Sequence, residues 1–303
     1  MNNVLTKFLL LFTIIIAQNT SYKFDYYDIS DGLSQNRAQA IFQAQDGYIY
    51  VGSQGGLDRF DGYNFKYYSH NPSDSTSVPE GWVNAIGQDN SGNIWIGTQQ
   101  KTIGYLQPDG LWKRVELEGM KTWDRDGRSW WWGLITDFKF KNNKTLISSL
   151  GNGLFIIENG IQKHYKLKEI DGNAISEIHL INNRVFLATR NGLYEFNIEK
   201  EQFSKTSISL PTFGFSKSSN NNEFYVSSPS KVFKYNIKNN TSSEINIKVD
   251  KKSRDFQRMA LHNQKLWIIN SSHGIVIYDT VDKSSIQIKK PSIKDTEHAK
   301  LIV

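Results

Sequence analysis

Apolar and polar residues alternate in short runs along most of this chain, and one arrangement of them recurs. An alternating strand, a small or polar turn and a second short strand occur as IYVGSQGGLDRF (49–60), IWIGTQQKTIGYL (94–106), TLISSLGNGLFII (145–157), VFLATRNGLYEF (185–196), FYVSSPSKVFKY (224–235) and LWIINSSHGIVIYD (266–279). Period-two alternation sends successive side chains to opposite faces, so each run predicts a pair of strands rather than a helix. Aligned on their bulky second positions, Tyr50, Trp95, Leu146, Phe186, Tyr225 and Trp267, the copies are 45, 51, 40, 39 and 42 residues apart. Repeats of roughly 40 to 50 residues are the spacing of propeller blades. The longer second step predicts an insertion between the second and third units.

Each unit resolves into four strands. A further strand such as AQAIFQAQ (38–45) precedes the quoted pair and ends at Asp46-Gly47, with Ser91-Gly92, Asn142-Asn143, Asn182-Asn183, Asn221-Asn222 and His262-Asn263 as the later equivalents. Gly55-Gly56, Asn152-Gly153, Asn191-Gly192 and His273-Gly274 mark the second turn, and Asp61-Gly62, Asp109-Gly110 and Asn159-Gly160 the third. Gly and Asn tolerate the positive φ that tight hairpins require. A lone four-stranded sheet cannot bury both its faces, and tandem copies solve this by stacking radially around a channel. The fold expected is therefore an all-β β-propeller of four-stranded blades. Six blades are complete, and HAKLIV (298–303) resembles the first strand of a seventh. YKFDYYDIS (22–30) resembles a fourth strand without a blade of its own. Together they predict a seven-bladed ring whose last blade is truncated at residue 303, since a split ring would expose sheet edges.

Ahead of the repeats, Lys7 and the apolar run FLLLFTIIIA (8–17) match a secretory signal and are too short to span a bilayer. The expected organisation is a signal peptide at 1–17 and one propeller domain at 18–303, delivered to a bacterial periplasm. The chain has no Cys, so an exported fold gains nothing from disulfides and depends on its packed core. The formal net charge of +6 comes from Lys and Arg scattered over strands and turns rather than gathered on one face, which argues against a nucleic-acid partner.

No phosphate loop, nucleophile elbow or metal-spaced histidine pair is present, so neither a cofactor nor a metal nor catalytic residues are expected. The six His residues, at 70, 164, 179, 262, 273 and 298, fall in different repeats, and most are assigned to turns or the surface. Asp124-Arg125-Asp126-Gly127 lacks the terminal acid of a calcium loop. The insertion GMKTWDRDGRSWWWG (119–133) carries Trp123, Trp130, Trp131 and Trp132 with Arg125 and Arg128. Segments entering each first strand should ring one mouth of the channel, which adds Arg37, Trp82, Phe213 and Arg254. Indole faces suit sugar rings, and Arg suits hydroxyls or an acidic group, so these ten residues form the candidate binding rim. Packing between blades is the alternative for each Trp. Three consecutive Trp cannot all point inward, because strand side chains alternate.

The stretch DGLSQNRAQAIFQAQDGYIYVGSQGGLDRFDGYNFKYY (31–68), followed by VNAIGQDNSGNIWIGT (83–98), resembles the two-component regulator propellers of bacterial sensors. Gly32-Leu33-Ser34, Asp46-Gly47, Gly56 to Gly62 and Ile94-Trp95-Ile96-Gly97-Thr98 carry the likeness. It is sharp over about 24–106 and thin beyond about 200, where Val-Ser-Ser and Ile-Ile-Asn replace the Gly-Thr step. The resemblance implies a periplasmic ligand-binding propeller of a hybrid histidine kinase or related regulator. It also implies partners: a second propeller, a membrane helix and a cytoplasmic signalling module, which would hold any kinase activity and any membrane attachment. The function expected is ligand sensing, of an oligosaccharide or other small ligand. A stand-alone exported propeller binding glycan or protein is the alternative, followed by a propeller lyase or hydrolase.

Overall fold

A computed structural model describes residue 22 and residues 25–74, 76–122, 133–169, 173–249, 256–271 and 274–289, with the backbone of 301–302. Within it lie six four-stranded antiparallel sheets, each a consecutive meander. They span 38–69, 85–116, 135–165, 175–205, 215–245 and 256–288, and are called blades one to six. The hairpins form where Gly and Asn were placed. Gly47 and Gly92 hold φ of 91° and 85° in the first turn, and Asn182 and Asn183 hold 47° and 63°. Blade five turns differently at Asn221-Asn222, with Glu223 N donating to Asn220 O at 2.9 Å.

First strands of successive blades lie against one another from blade one to blade six and surround the channel. An apolar cluster fills each of these seams. Tyr50 and Leu57 of blade one pack with Ile94, Ile96 and Leu106 of blade two, and Tyr225 and Val232 of blade five pack with Leu266, Ile268 and Tyr278 of blade six. Two residues beyond each bulky position the side chain is small in blades one to five: Gly52, Gly97, Ser148, Ala188 and Ser227. The reason is the closeness of the next blade. A Cβ on Gly97 would lie 2.3 Å from Ile135 Cγ2 of blade three, and one on Gly52 would lie 2.7 Å from Val83 Cγ1. Blade six carries Ile269 here, and it is 51% exposed.

Between blades six and one the first strands do not meet in this way among the described residues. Tyr27 instead packs its ring edgewise on Phe60 and Phe65 of blade one, with centroids 4.9 and 5.9 Å away. Tyr22 packs on Trp267 of blade six at 4.9 Å, and its hydroxyl accepts a hydrogen bond from Lys265 Nζ at 3.1 Å. The N-terminal segment thus touches both sides of the gap. Its strand Tyr26–Tyr27 pairs directly with Leu301–Ile302. The described residues show six blades and this two-stranded ladder, and they do not show the expected seventh blade.

The Gly32-Leu33-Ser34 and Leu57-Asp58 tokens act on each other. Asp58 is fully buried, and burial raises its carboxyl above the usual range while bonds from Ser34 oppose the shift. Ser34 N donates to Asp58 Oδ1 at 3.2 Å and Ser34 Oγ to Oδ2 at 2.5 Å. In blade two, Asp89 Oδ2 accepts from Trp95 Nε1 at 2.7 Å and its Oδ1 holds the amides of Ser91 and Asn93. Each of these carboxylates gathers donors that the neighbouring apolar side chains cannot satisfy.

The histidines depart from expectation at His179 and His164. His179 is buried in the seam of blades four and five, stacked near Phe215 and Phe224 at 5.2 and 5.0 Å. His164 lies against Phe155 at 3.9 Å. Their strands' inward faces override the polar preference of the side chain.

Two predictions follow from the seams. Gly97→Ala forces its Cβ into Ile135 and is expected to cost about 1–3 kcal/mol by thermal or urea unfolding, with part recovered in the double variant Gly97→Ala/Ile135→Val. His179, pushed down to about 4 by burial, stays neutral in the folded state while the unfolded chain takes up a proton near pH 6.5. Stability from this site is therefore present above about pH 6.5 and lost as pH falls toward 4, on the order of 3 kcal/mol in total. His179→Phe should flatten that acid limb in a pH series of melting temperatures; an unchanged limb would refute the assignment.

Candidate ligand site at the central channel

Four of the six first strands carry a register shift near their start, between Ala38 and Ala40, Ile135 and Asp137, Ile175 and Glu177, and Phe256 and Met259. A regular strand would aim every side chain at one neighbouring blade or the other. A bulge breaks that alternation and re-aims a side chain. The residues within the shifts are Gln39, Thr136, Ser176 and the pair Gln257 and Arg258, all of them polar.

Arg258 of blade six crosses to the far side of the ring. Its Nη2 donates to Thr136 O of blade three at 3.1 Å and to Ser176 O of blade four at 3.2 Å, and its Nη1 lies 3.5 Å from Glu177 Oε2. Glu177 also accepts a bond from Phe215 N at 3.2 Å. Burial raises the Glu177 carboxyl to about 6, against the opposing pull of Arg258. Asp137 is buried beside it, accepting from Ile178 N at 2.9 Å and from Lys139 Nζ at 2.7 Å. Thr136 Oγ1 donates to Ile175 O at 2.7 Å. Blades three, four, five and six are thus tied to one polar cluster at the axis.

Next to the cluster is a cavity of about 300 Å³, lined by Gln39, Asn84, Thr136, Asp137 and Arg258 together with Ile41 and Ile269. Gln39 Nε2 is buried and has no hydrogen-bond partner among the described residues. A guanidinium, amide donors, a carboxylate and two exposed isoleucines in one concavity can hold a small ligand with hydroxyls and an apolar face.

Of the ten residues expected at the rim, three are described. Arg37 is exposed directly ahead of Ala38. Trp82 is half-buried, and its carbonyl accepts from Asn84 Nδ2 at 3.4 Å. Phe213 is half-buried, its amide donating to Ser227 O at 3.0 Å. All three sit on the upper face, where first strands begin, and none of them lines the cavity. Trp123, Arg125, Arg128, Trp130, Trp131, Trp132 and Arg254 lie outside the described residues. The two feet of the insertion are described. Asn152 bonds the amide of Lys121 at 2.8 Å and its carbonyl at 2.9 Å, while Gly133 N donates to Leu150 O at 2.9 Å. Chain therefore leaves and returns at one place, on the upper face beside the second turn of blade three.

Sequence reasoning missed Arg258, Glu177, Asp137 and Gln39. The available signal was the set of polar pairs Thr136-Asp137, Ser176-Glu177 and Gln257-Arg258, which recur at one position of the innermost strand.

Comparison with known proteins agrees with this architecture. Residues 77–100 match the profile of the two component regulator propeller, so the chain carries that repeat at its second blade. Over 62 residues it is 45% identical to Histidine kinase P4 of Formosa agariphila, a match covering 20% of this chain and 4% of that protein. Its fold is similar to the extracellular domain of a protein described as a hybrid two component system of B. thetaiotaomicron, with TM-score 0.68 at 16% identity over 88% of this chain and 38% of the other. A second extracellular domain of that kind, from the same organism, gives TM-score 0.60 at 18% identity over 85% and 42%. The chain thus spans less than half the length of each of these relatives.

Arg258→Ala is expected to destabilise the propeller by about 1–3 kcal/mol at pH 7.5, because two carbonyls lose a donor and a buried carboxylate loses its counter-charge. The loss should shrink below pH 6, where Glu177 is neutral. Urea unfolding at pH 7.5 and pH 5 checks this, and an equal loss at both pH values would exclude the charge component.

Proposed function

We propose that this chain is the ligand-binding propeller of an exported two-component-type sensor, and that its ligand is a carbohydrate taken up from the upper face of the channel. The observation that carries the reading is the polar cavity beside Arg258, in a propeller whose second blade matches the two component regulator repeat. The bulged strands present donors and acceptors to the axis, and the insertion rich in Trp and Arg is rooted on the same face. Export rests on the apolar run at 8–17 and on the extracellular placement of the similar solved domains.

Binding would signal by favouring one arrangement of the blades over another. Arg258 suits that role, since a ligand oxygen competing for its guanidinium acts on blades three, four and six together. The domain binds and does not catalyse; any kinase step belongs to a module other than this propeller. The gap between blades six and one is the place of a seventh blade in this reading, supported by the contacts of Tyr22 and Tyr27 on its two sides.

A thermal-shift panel of neutral and acidic oligosaccharides on residues 18–303, repeated with Gln39→Ala, Trp131→Ala and Arg128→Ala, tests the site. A ligand at one hundred times its Kd should stabilise by about 2.7 kcal/mol, a rise of several degrees. The rise is expected to fall in Gln39→Ala and in at least one insertion variant. A shift untouched by all three would move the site off the upper face.

A further inference from the structure

The lower face, where first strands end, carries a second cavity that the channel reading does not use. It lies between blades one and two, measures about 510 Å³, and is lined by Tyr48, Tyr50, Arg59, Lys66, Tyr68, Asp46 and the turn at Gln107 to Gly110, which carries Asp109. Strand register aligns three of these residues. Tyr50 is opposite Arg59, and Arg59 is opposite Lys66, so a phenol and two cations form one row across three adjacent strands.

Both cations lie over aromatic rings. The Arg59 guanidinium is 4.3 Å from the Tyr48 ring centroid, and Lys66 Nζ is 4.9 Å from that of Tyr68. Neither has an ion-pair partner among the described residues, and Arg59 Nε is buried with no hydrogen-bond partner there. The second and third strands of blade four carry a cation over a ring with its ion pair completed. There Arg184 lies over Phe186 at 5.1 Å, and its Nε and Nη2 donate to the two carboxylate oxygens of Glu195 at 2.5 Å each. A guanidinium fork is satisfied by a planar carboxylate, which the protein supplies at Arg184 and does not supply at Arg59.

The remaining lining narrows the ligand. Asp46 Oδ1 accepts from Tyr48 N at 3.1 Å and Asp109 Oδ1 from Leu111 N at 3.0 Å, so each exposed Asp keeps its second oxygen for a hydroxyl. Two acids beside two cations disfavour a polyanion and favour one carboxylate on a polyhydroxylated body. Burial pushes the Tyr50 phenol up to about 12 against an opposing hydrogen bond from Arg59, so Tyr50 stays neutral throughout the ordinary pH range and takes one of the guanidinium's donors while Nε is left over. We propose that this cavity is a second binding site, selective for an acidic monosaccharide, in which Arg59 and Lys66 receive the carboxylate and Asp46 and Asp109 accept from ring hydroxyls. It is independent of the upper-face site and does not rest on it.

Calorimetric titration of the full chain with glucuronate, glucose and acetate tests this proposal. Glucuronate should bind saturably, and glucose and acetate at least ten-fold more weakly. Arg59→Gln and Lys66→Gln should each weaken glucuronate at least ten-fold, while Lys200→Gln, exposed on blade four, should not. Lys66 is exposed on its strand, so its variant keeps the test decisive even where Arg59→Gln fails to fold. Absence of saturable glucuronate binding, equal binding of glucose, or glucuronate binding unchanged in both variants would overturn the proposal.

Discussion

Every blade here is a sheet with two apolar faces, and neither face can be left in water. That constraint organises the molecule. Burying one fully covered aliphatic or aromatic side chain is worth about 1.5–3 kcal/mol, and each seam contributes several such residues from both of its sides. The seams close only because a small residue on one blade admits the first strand of the next. Gly52 against Val83 and Gly97 against Ile135 show how little room remains. The channel, the bulges and the turns on the two faces all follow from sheets held at that distance.

Against this apolar scaffold the axis is polar, and the two are linked by geometry. First strands converge where the ring is narrowest, so their side chains meet across it instead of packing against a neighbouring face. Arg258 can therefore reach carbonyls of blades three and four, and Glu177 can bond the first strand of blade five. A pair whose arginine is half exposed is weak evidence for added stability, because solvent screens the attraction. Its clearer consequence is registration: the blades it joins are held in one mutual position.

The repeats and their hairpins were legible because Gly and Asn at tight turns, and alternating apolar residues between them, are local signals. Six blades and an insertion after the second unit follow from them directly. The seventh blade was a further step of that kind, from six residues of HAKLIV, and the pairing of Tyr26–Tyr27 with Leu301–Ile302 does not show it. The site was less legible. Strict alternation places Gln39, Thr136 and Arg258 on blade faces, and only a bulge, which is a property of two paired strands, turns them toward the axis. His179 was likewise misplaced, since its neighbours Phe215 and Phe224 belong to another blade. Arg37, Trp82 and Phe213 lie where the chain enters the first strands, a position that follows from their place in the repeat, and none of them lines the cavity.

The small residues at the seams bear on how such a chain is copied. A blade duplicated by itself would carry its glycine or serine toward a neighbour whose first strand had been shaped for something else. What must be inherited together is the outgoing half of one sheet and the incoming half of the next. The packing unit of this propeller is accordingly the junction, which spans two successive copies of the visible sequence repeat.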